Sequence, residues 1–326
     1  VAAGDNAVIE VSGLAKSFEG VQAVDGVCFH VFKGEIFGFL GPNGAGKTTT
    51  INMLTGLARP DKGTIRISGI DSSVRPKAAQ HLMGIVSDES NLYPELTGYE
   101  NLAFCGALYG MERRSRQSRA RKLLKDFGLD EAANRKFAAY SRGMKRKLAI
   151  AAGIIHSPPI LFLDEPTTGI DVASARQIRQ LISDMNAGGT TIFLTTHYIE
   201  EAERLCRRIA FIVSGRIVRI DTTENLMRLA QGRNVVQFEL SRNIDGLTRA
   251  VEKEFPEVKC RTASGSTVRV ESQKPVRIGP LVKFIEDRGA EVSEARKILP
   301  SLEDVFVEIT GIESKAMKGE NPGGPK

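Results

Sequence analysis

The sequence predicts an α/β core carrying a helical subdomain, followed by a small α+β domain. Three stretches carry that prediction. Residues 35–40 read as a buried strand that runs into a glycine-rich loop and then into a helix over 48–54. Residues 160–163, Ile-Leu-Phe-Leu, form an unbroken apolar run of the kind a doubly covered parallel strand shows, and they end on Asp164 and Glu165. Beyond residue 226 the pattern becomes strand, helix, strand, strand, helix, strand.

The loop between the first strand and its helix is Gly41-Pro42-Asn43-Gly44-Ala45-Gly46-Lys47-Thr48, which fits G-x-x-x-x-G-K-[ST] without a mismatch. Glycines let backbone N–H groups turn inward around phosphate oxygens, and the helix start adds unpaired donors and the positive end of its dipole. The motif therefore predicts a bound nucleoside triphosphate cradled by Gly41 to Thr49. Lys47 reaches the β- and γ-phosphates, and the Thr48 hydroxyl sits on Mg²⁺.

The acids after the second strand complete the chemistry. Open α/β sheets place their ligands at the carboxyl ends of their strands. An acid there holds the metal of Mg-ATP, and a neighbouring acid orients and deprotonates the attacking water. Asp164 is assigned to the metal and Glu165 to the water. Residues 190–194 predict another sheet strand, so His197 at its polar end falls on the same edge, where an imidazole bonds a γ-phosphate.

Length and composition agree with such a protein. The 326 residues suffice for two domains, and 41% hydrophobic with 26% charged residues is ordinary for a globular chain. A net charge of +6 suits an acidic partner but is also common among plain enzymes. No apolar run approaches the roughly 18–20 residues that cross a bilayer, so any membrane work is expected to use another chain. The start lacks the pattern of a secretory signal. Cys28, Cys105, Cys206 and Cys260 are scattered and read as buried thiols in a reducing compartment.

In chain order, residues 8–11 and 24–31 predict the first two strands, with Phe18 between them. That position suits either stacking on a base or filling core at a strand end. Strands follow at 63–67 and 84–86. Helical periodicity takes over from 88 to 157, with helices at 99–109, 113–127 and 142–155. The arginine run at 113–119 reads as a solvated helix face. A helix at 173–186, a short one at 198–205, and a hairpin of 208–213 with 216–220 complete the core.

With these pieces in this order, the chain resembles the nucleotide-binding subunits of ABC transporters over roughly residues 5–225. The resemblance implies a P-loop NTPase core of that type over 1–225, with the helical subdomain at about 88–157. Tyr140-Ser141-Arg142-Gly143-Met144 lies where that family carries its Leu-Ser-Gly-Gly-Gln signature: Ser141 and Gly143 match, Arg142 and Met144 depart. By the family's pattern Ser141 and the following N–H groups bind the γ-phosphate of ATP held by the opposite subunit. A helix-capping role for Ser141 is compatible with that. Asp171 matches the acid that meets the partner subunit, His197 the switch histidine, and Phe18 the adenine-stacking aromatic. Asp88 stands where most of the family has a glutamine that meets Mg²⁺ and the attacking water. Being one methylene shorter, it is expected to reach the metal through a water.

Wording such as Asn91-Leu92-Tyr93-Pro94-Glu95-Leu96-Thr97 looks most like bacterial exporters of drugs, sodium or polysaccharide. The resemblance implies an ATPase that homodimerises around two Mg-ATP and sits peripherally at the cytoplasmic face of the membrane. It would drive a separately encoded permease that docks near Tyr93, Pro94, Leu96 and Tyr99, with no nucleic acid expected. The alternative is a soluble ABC-type ATPase acting on ribosomes or DNA. Such relatives commonly carry two ATPase units or an inserted coiled coil, whereas this sequence has one phosphate loop and no sustained heptads. Residues 226–311 resemble the accessory domain often appended to exporter ATPases, for which a ferredoxin-like βαββαβ unit is expected. The tail 312–326 reads as disordered.

Overall fold

The computed structural model describes residues 6–88, 92–230, 234–298 and 301–312. It contains two compact units, one holding the described residues up to Thr223 together with those from Ile309 on, and the other Glu224–Glu308. The expected disordered tail lies, from Glu313 on, outside the described residues, as does Asn91.

The first unit opens with β1 (Ala7–Phe18) and β2 (Val21–Phe32), each twelve residues and far longer than the apolar runs at their hearts suggest. Phe18 pairs directly with Val21, and the two-residue turn between them, Glu19-Gly20, has φ of 46° and 85°. Two consecutive positive φ values match the right-handed twist of a hairpin, which lets pairing run to the tip. After β3 (Ile36–Leu40) and α1 (Lys47–Leu54), the Ser68-Gly69 turn repeats this device between β4 (Lys62–Ile67) and β5 (Ile70–Asp71). Together β2, β1, β4 and β5, in that order, form an antiparallel sheet.

The chain continues through α2 (Pro76–Gln80), β6 (Met83–Val86), α3 (Gly98–Leu108), α4 (Arg113–Asp126) and α5 (Arg142–Gly153). It closes with β7 (Ile160–Asp164), α6 (Val172–Ala187), β8 (Thr191–Thr196), α7 (Ile199–Leu205), β9 (Arg208–Val213) and β10 (Arg216–Thr222). The second sheet has the order β10-β9-β3-β8-β7-β6, parallel throughout except for the edge strand β10. Every residue of β3, β7 and β8 is buried, as expected for parallel strands covered on both faces. The two sheets meet through aromatic rings: Phe29 of β2 lies 5.5 Å from Phe37 of β3 and 5.7 Å from Phe193 of β8. Because the strands are parallel, the phosphate loop, Asp164 and His197 all emerge at one rim. At the opposite rim Asn186 donates to the carbonyls of Gly34 and Thr190, and Gly34 N–H donates to Thr191 Oγ1, tying the starts of β3 and β8 together.

Helices α3, α4 and α5 pack on one another around Leu102, Leu123, Leu124 and Leu148. Thr97 and Glu100 form a reciprocal capping box that starts α3, worth about 1 kcal/mol. The cysteine reading needs one correction. Cys206 and Cys260 are buried and Cys105 partly so, but Cys28 is exposed, because it occupies the outward position between the buried Val27 and Phe29 of β2.

Helix α8 (Thr223–Ala230) leads into the second unit, which runs through β11 (Asn234–Leu240), α9 (Leu247–Glu254), β12 (Lys259–Ser264) and β13 (Thr267–Ser272). It continues with α10 (Ile278–Glu286) and β14 (Val292–Ile298) and ends within α11 (Leu302–Thr310), at Glu308. The sheet order is β12-β13-β11-β14, antiparallel at every pair, which is the strand arrangement of a split βαβ unit. Val236, Phe238 and Val270 face Val251 of α9 and Leu281 and Ile285 of α10 in one core. Helices α8 and α11 have no counterpart among the elements expected from the sequence. Both are short, and helices of that length draw their stability from packing rather than from periodicity.

Candidate active site

The phosphate loop takes its shape from steric necessity. A Cβ on Gly41 or Gly46 would land inside the carbonyls of Ile212 and Ala23 respectively, and Gly44 and Gly46 have φ of 78° and 99°. Gly46 is also the N-cap of α1, so the helix begins at Lys47. The Lys47 ammonium folds back along the loop and donates to the carbonyls of Gly41 at 2.8 Å and Pro42 at 3.0 Å. Its third partner is Glu165 Oε1, at 3.2 Å.

The structure brings the two acidic-strand residues and the histidine to this loop. The second Glu165 oxygen accepts from His197 Nδ1–H at 2.8 Å and from the Thr168 hydroxyl at 3.0 Å. Burial alone pushes the Glu165 carboxyl up, but His197, Lys47 and Thr168 together outweigh it, and the group stays ionised below its ordinary range. Asp164, buried one residue earlier, accepts a short bond from the Thr195 hydroxyl of β8. A cavity of about 410 Å³ lies here, and Asn43, Gly44, Gly46, Lys47, Thr48, Thr49, Asp88, Glu165 and His197 line it. Nine of the residues picked out by sequence reasoning thus share one space, and Thr168 and Ala23 join them unpredicted.

The remaining candidates lie elsewhere in the single chain. Phe18 is 50% exposed at the tip of the β1–β2 hairpin, with the Lys16 ammonium 5.3 Å from its ring centre. Ser141 caps α5 by accepting from Met144 N–H, and Asp171 caps α6 by accepting from Ser174 N–H at 2.9 Å. Gly143 sits where these two helices touch: a Cβ there would stand 2.7 Å from Ser174 Cβ. Arg142, the departure from the signature, reaches back to the carbonyl of Gly169 at 3.4 Å. Ser141, Gly143 and Asp171 therefore form a second cluster, and none of the three lines the cavity.

Two buried charged residues escaped the sequence reading. Glu201 of α7 is 2% exposed and accepts from the Thr167 hydroxyl at 2.8 Å. Burial pushes its carboxyl up, against the Thr196 and Thr167 hydroxyls. Arg146 of α5 is 6% exposed and donates to five backbone carbonyls and to Asp88. Burial pulls its guanidinium down, while the carboxylates of Asp88, Asp164, Glu201 and Glu165 oppose that. Among the basic residues Arg142, Lys145, Arg146 and Lys147, sequence alone does not show which is inside. The available signal is spacing, because Arg146 stands three and four residues before the buried Ala149 and Ile150.

Glu165 has a left-handed backbone, φ 49°. A side-chain-bearing residue in that region costs about 1–3 kcal/mol and persists only where its surroundings over-determine it. Here its N–H is held by the Thr195 carbonyl at 3.1 Å and its carbonyl by Arg146.

Comparison with known proteins agrees with this geometry. The family model described as ABC transporter matches residues 24–168. The daunorubicin/doxorubicin resistance ATP-binding protein of Streptomyces peucetius is 43% identical over 71% of this chain and 70% of its own length. Nod factor export ATP-binding protein I of Bradyrhizobium diazoefficiens is 35% identical over 94% of this chain and 98% of its own. Among solved structures, an ATP-binding subunit of an ABC transporter superposes with a TM-score of 0.62 at 30% identity, covering 68% of this chain and 92% of that one. A dimeric ATP-binding cassette bound to ADP and Pi gives 0.61 at 28%, covering 66% and 98%. The match to such relatives spans the phosphate loop, the buried acid pair and the strands that carry them, and the chain belongs to the family of ABC transporter ATP-binding subunits.

Proposed function

We propose that this chain is the ATP-hydrolysing subunit of an export complex, in which two copies close on two Mg-ATP and drive a separately encoded membrane-spanning subunit. The observation that carries the hydrolytic reading is the Glu165 carboxylate, held between Lys47 and His197 on the wall of the cavity. In this reading Glu165 accepts the proton of the attacking water. Lys47 leaves the carboxylate to meet the β- and γ-phosphates, and His197 steadies the terminal phosphate. Phe18 stacks on the adenine. Ser141, Gly143 and Asp171 serve the nucleotide of the other copy, which is consistent with their lying off this chain's own cavity.

The oxygen donors fit Mg²⁺, which is commonly held by one or two carboxylates together with substrate phosphates rather than by an all-protein cage. Thr48 and Asp88 line the cavity and Asp164 lies at the end of β7, while no cluster of three or more His, Cys, Asp or Glu occurs among the described residues. When bound, the ion would neutralise charge on the β- and γ-phosphates. Thr48 and Asp164 would hold it, with Asp88 reaching it through a water.

Export is supported by the relatives named for drug resistance and Nod factor export. No helix among the described residues is long and apolar enough to cross a membrane, so this reading places the chain peripherally at the cytoplasmic face. Tyr93 is exposed and meets the exposed Phe104 edge-on at 5.2 Å, with exposed Leu108 on the same helix as Phe104, an apolar surface suited to docking the membrane subunit. The test is Glu165→Gln, which should bind ATP yet hydrolyse it at least a hundredfold more slowly, with closed dimers accumulating. Wild-type turnover would overturn the assignment. Crosslinking from Leu96→Cys that captured no membrane protein in intact cells would remove the docking surface.

A further inference from the structure

Strands β6 and β7 are paired through Val86 and Leu163, and beyond these residues their chains part. Past that point the carbonyls of Asp164, Glu165 and Pro166 make buried hydrogen bonds and those of Ser87 and Asp88 part-buried ones, and a buried backbone carbonyl left without a partner is costly. The side chain that supplies these bonds comes from α5. Arg146 Nε donates to Pro166 O at 3.0 Å, and one terminal nitrogen donates to Ser87 O at 2.5 Å and Asp88 O at 3.2 Å. The other donates to Asp164 O at 3.0 Å, to Glu165 O, and to the Asp88 carboxylate at 3.4 Å. A planar fork with five N–H donors is the one side chain able to serve two strand ends at once.

We infer that Arg146 is a positioning residue for hydrolysis: by fixing the carbonyls of Asp164, Glu165 and Pro166 it holds Glu165 in the left-handed conformation that aims its carboxylate at Lys47 and His197. This rests on the reading of Glu165 as the general base. The N–H side of Glu165 is anchored to β8 through Thr195; its carbonyl accepts a turn bond from Thr168 N–H at 3.2 Å and, from α5, the Arg146 guanidinium, which is the link that ties it to that helix. Removing that anchor lets the peptide relax towards an ordinary backbone and swings the carboxylate away. The same link makes the alignment of the acid depend on α5, the helix that Ser141 caps. Arg146 also reaches Ser87 and Asp88, so the chain leaving β6 is held to the same guanidinium.

The experiment measures kcat, KM and ATP affinity of the purified chain for Arg146→Lys and Arg146→Gln, each alone and combined with Glu165→Gln. Lysine supplies one point of attachment where arginine supplies a fork, so Arg146→Lys should lose about tenfold in kcat and Arg146→Gln about a hundredfold, with KM and ATP affinity within threefold of wild type. In the Glu165→Gln background, single-turnover rates should fall less than twofold further, because the acid that Arg146 aims is already gone. Turnover of Arg146→Lys and Arg146→Gln within twofold of wild type overturns the inference. So does an equal fractional loss with and without Glu165. If Arg146→Gln does not fold, Arg146→Lys decides, and a lysine variant that also fails to fold assigns Arg146 to the core and ends the positioning role. Should Glu165→Gln itself turn over at the wild-type rate, the base reading fails. Should it be slow while Arg146→Lys matches wild type, the present inference alone fails.

Discussion

Lys47 and Glu165 form a buried ion pair, Nζ to Oε1 at 3.2 Å, across the cavity that both residues line. The pair places the phosphate-binding cation and the proposed base in direct competition for each other and for the nucleotide. Glu165→Gln frees Lys47 from that competition, so ATP should bind several-fold more tightly to this variant as its turnover falls. Lys47→Ala should lose at least tenfold in ATP affinity, about 1.4 kcal/mol or more. It also strips a buried carboxylate of its cation, which costs about 3–5 kcal/mol when a buried pair is broken, so thermal stability should fall as well. Calorimetric titration with ATP reads both affinities, and equal values for Lys47→Ala and wild type would exclude the pairing as a feature of binding.

Asp88 faces the cavity and also accepts from Arg146 at 3.4 Å. If it reaches Mg²⁺ through a water, Asp88→Ala should shift the Mg²⁺ dependence of ATPase activity to higher concentration, by about threefold to tenfold. Asp88→Gln, with an oxygen at longer reach, should recover part of the shift. Superimposable Mg²⁺ curves for both variants and wild type would remove Asp88 from the metal's surroundings.

Gly143→Ala sets two effects of opposite sign against each other. Alanine in a helix is favoured over glycine by about 1 kcal/mol. Here its Cβ meets Ser174 at 2.7 Å between Cβ atoms and closer still at the hydroxyl, an overpacking that typically costs about 1–3 kcal/mol. Packing should win, and the urea midpoint should fall. A midpoint that rose would mean that α5 and α6 have room to part.

Glu201 gives the protein a pH dependence of defined sign. Burial holds its carboxyl above the ordinary 4.5, so the folded chain keeps the proton more tightly than the unfolded chain. Wild type therefore loses stability as pH rises from 4.5 through the raised value, and Glu201→Gln lacks that contribution. The difference in Tm between variant and wild type should grow across this window in the variant's favour and then level off. Parallel Tm profiles would show that Glu201 is not held protonated by the fold.

Much of this was legible in the sequence because the informative signals are local. The phosphate loop needs glycines at fixed places, and β7 announces itself by four apolar residues ending on acids. Each strand and helix expected between Gly63 and Val213 falls within a few residues of its place, while the short β5 and α2 have no counterpart in the expectation. What could not be read is which polar residue lies inside. Arg146 and Glu201 look like surface charges in a basic run and an acidic run, and only the junction of β6, β7, α5 and α7 buries them. The length of β1 was missed for a related reason. Its pairing extends through polar residues, Lys16 and Ser17, that carry no apolar alternation and are recruited by a favourable turn.

The parallel sheet also gives the experimenter a handle. With the chemistry confined to one rim, the stitched rim around Asn186 is free to be tethered to a bead, a chip or a dye without touching the nucleotide. Gly188, exposed just beyond α6 with φ of −74°, has a backbone that a side chain tolerates, with only a close approach of 3.3 Å to the Met185 carbonyl to relieve, whereas its neighbour Gly189, at 97°, does not. In a background where the exposed Cys28 and the half-buried Cys105 are replaced by serine, Gly188→Cys offers one exposed thiol beside the buried Cys206 and Cys260 for watching individual molecules open and close.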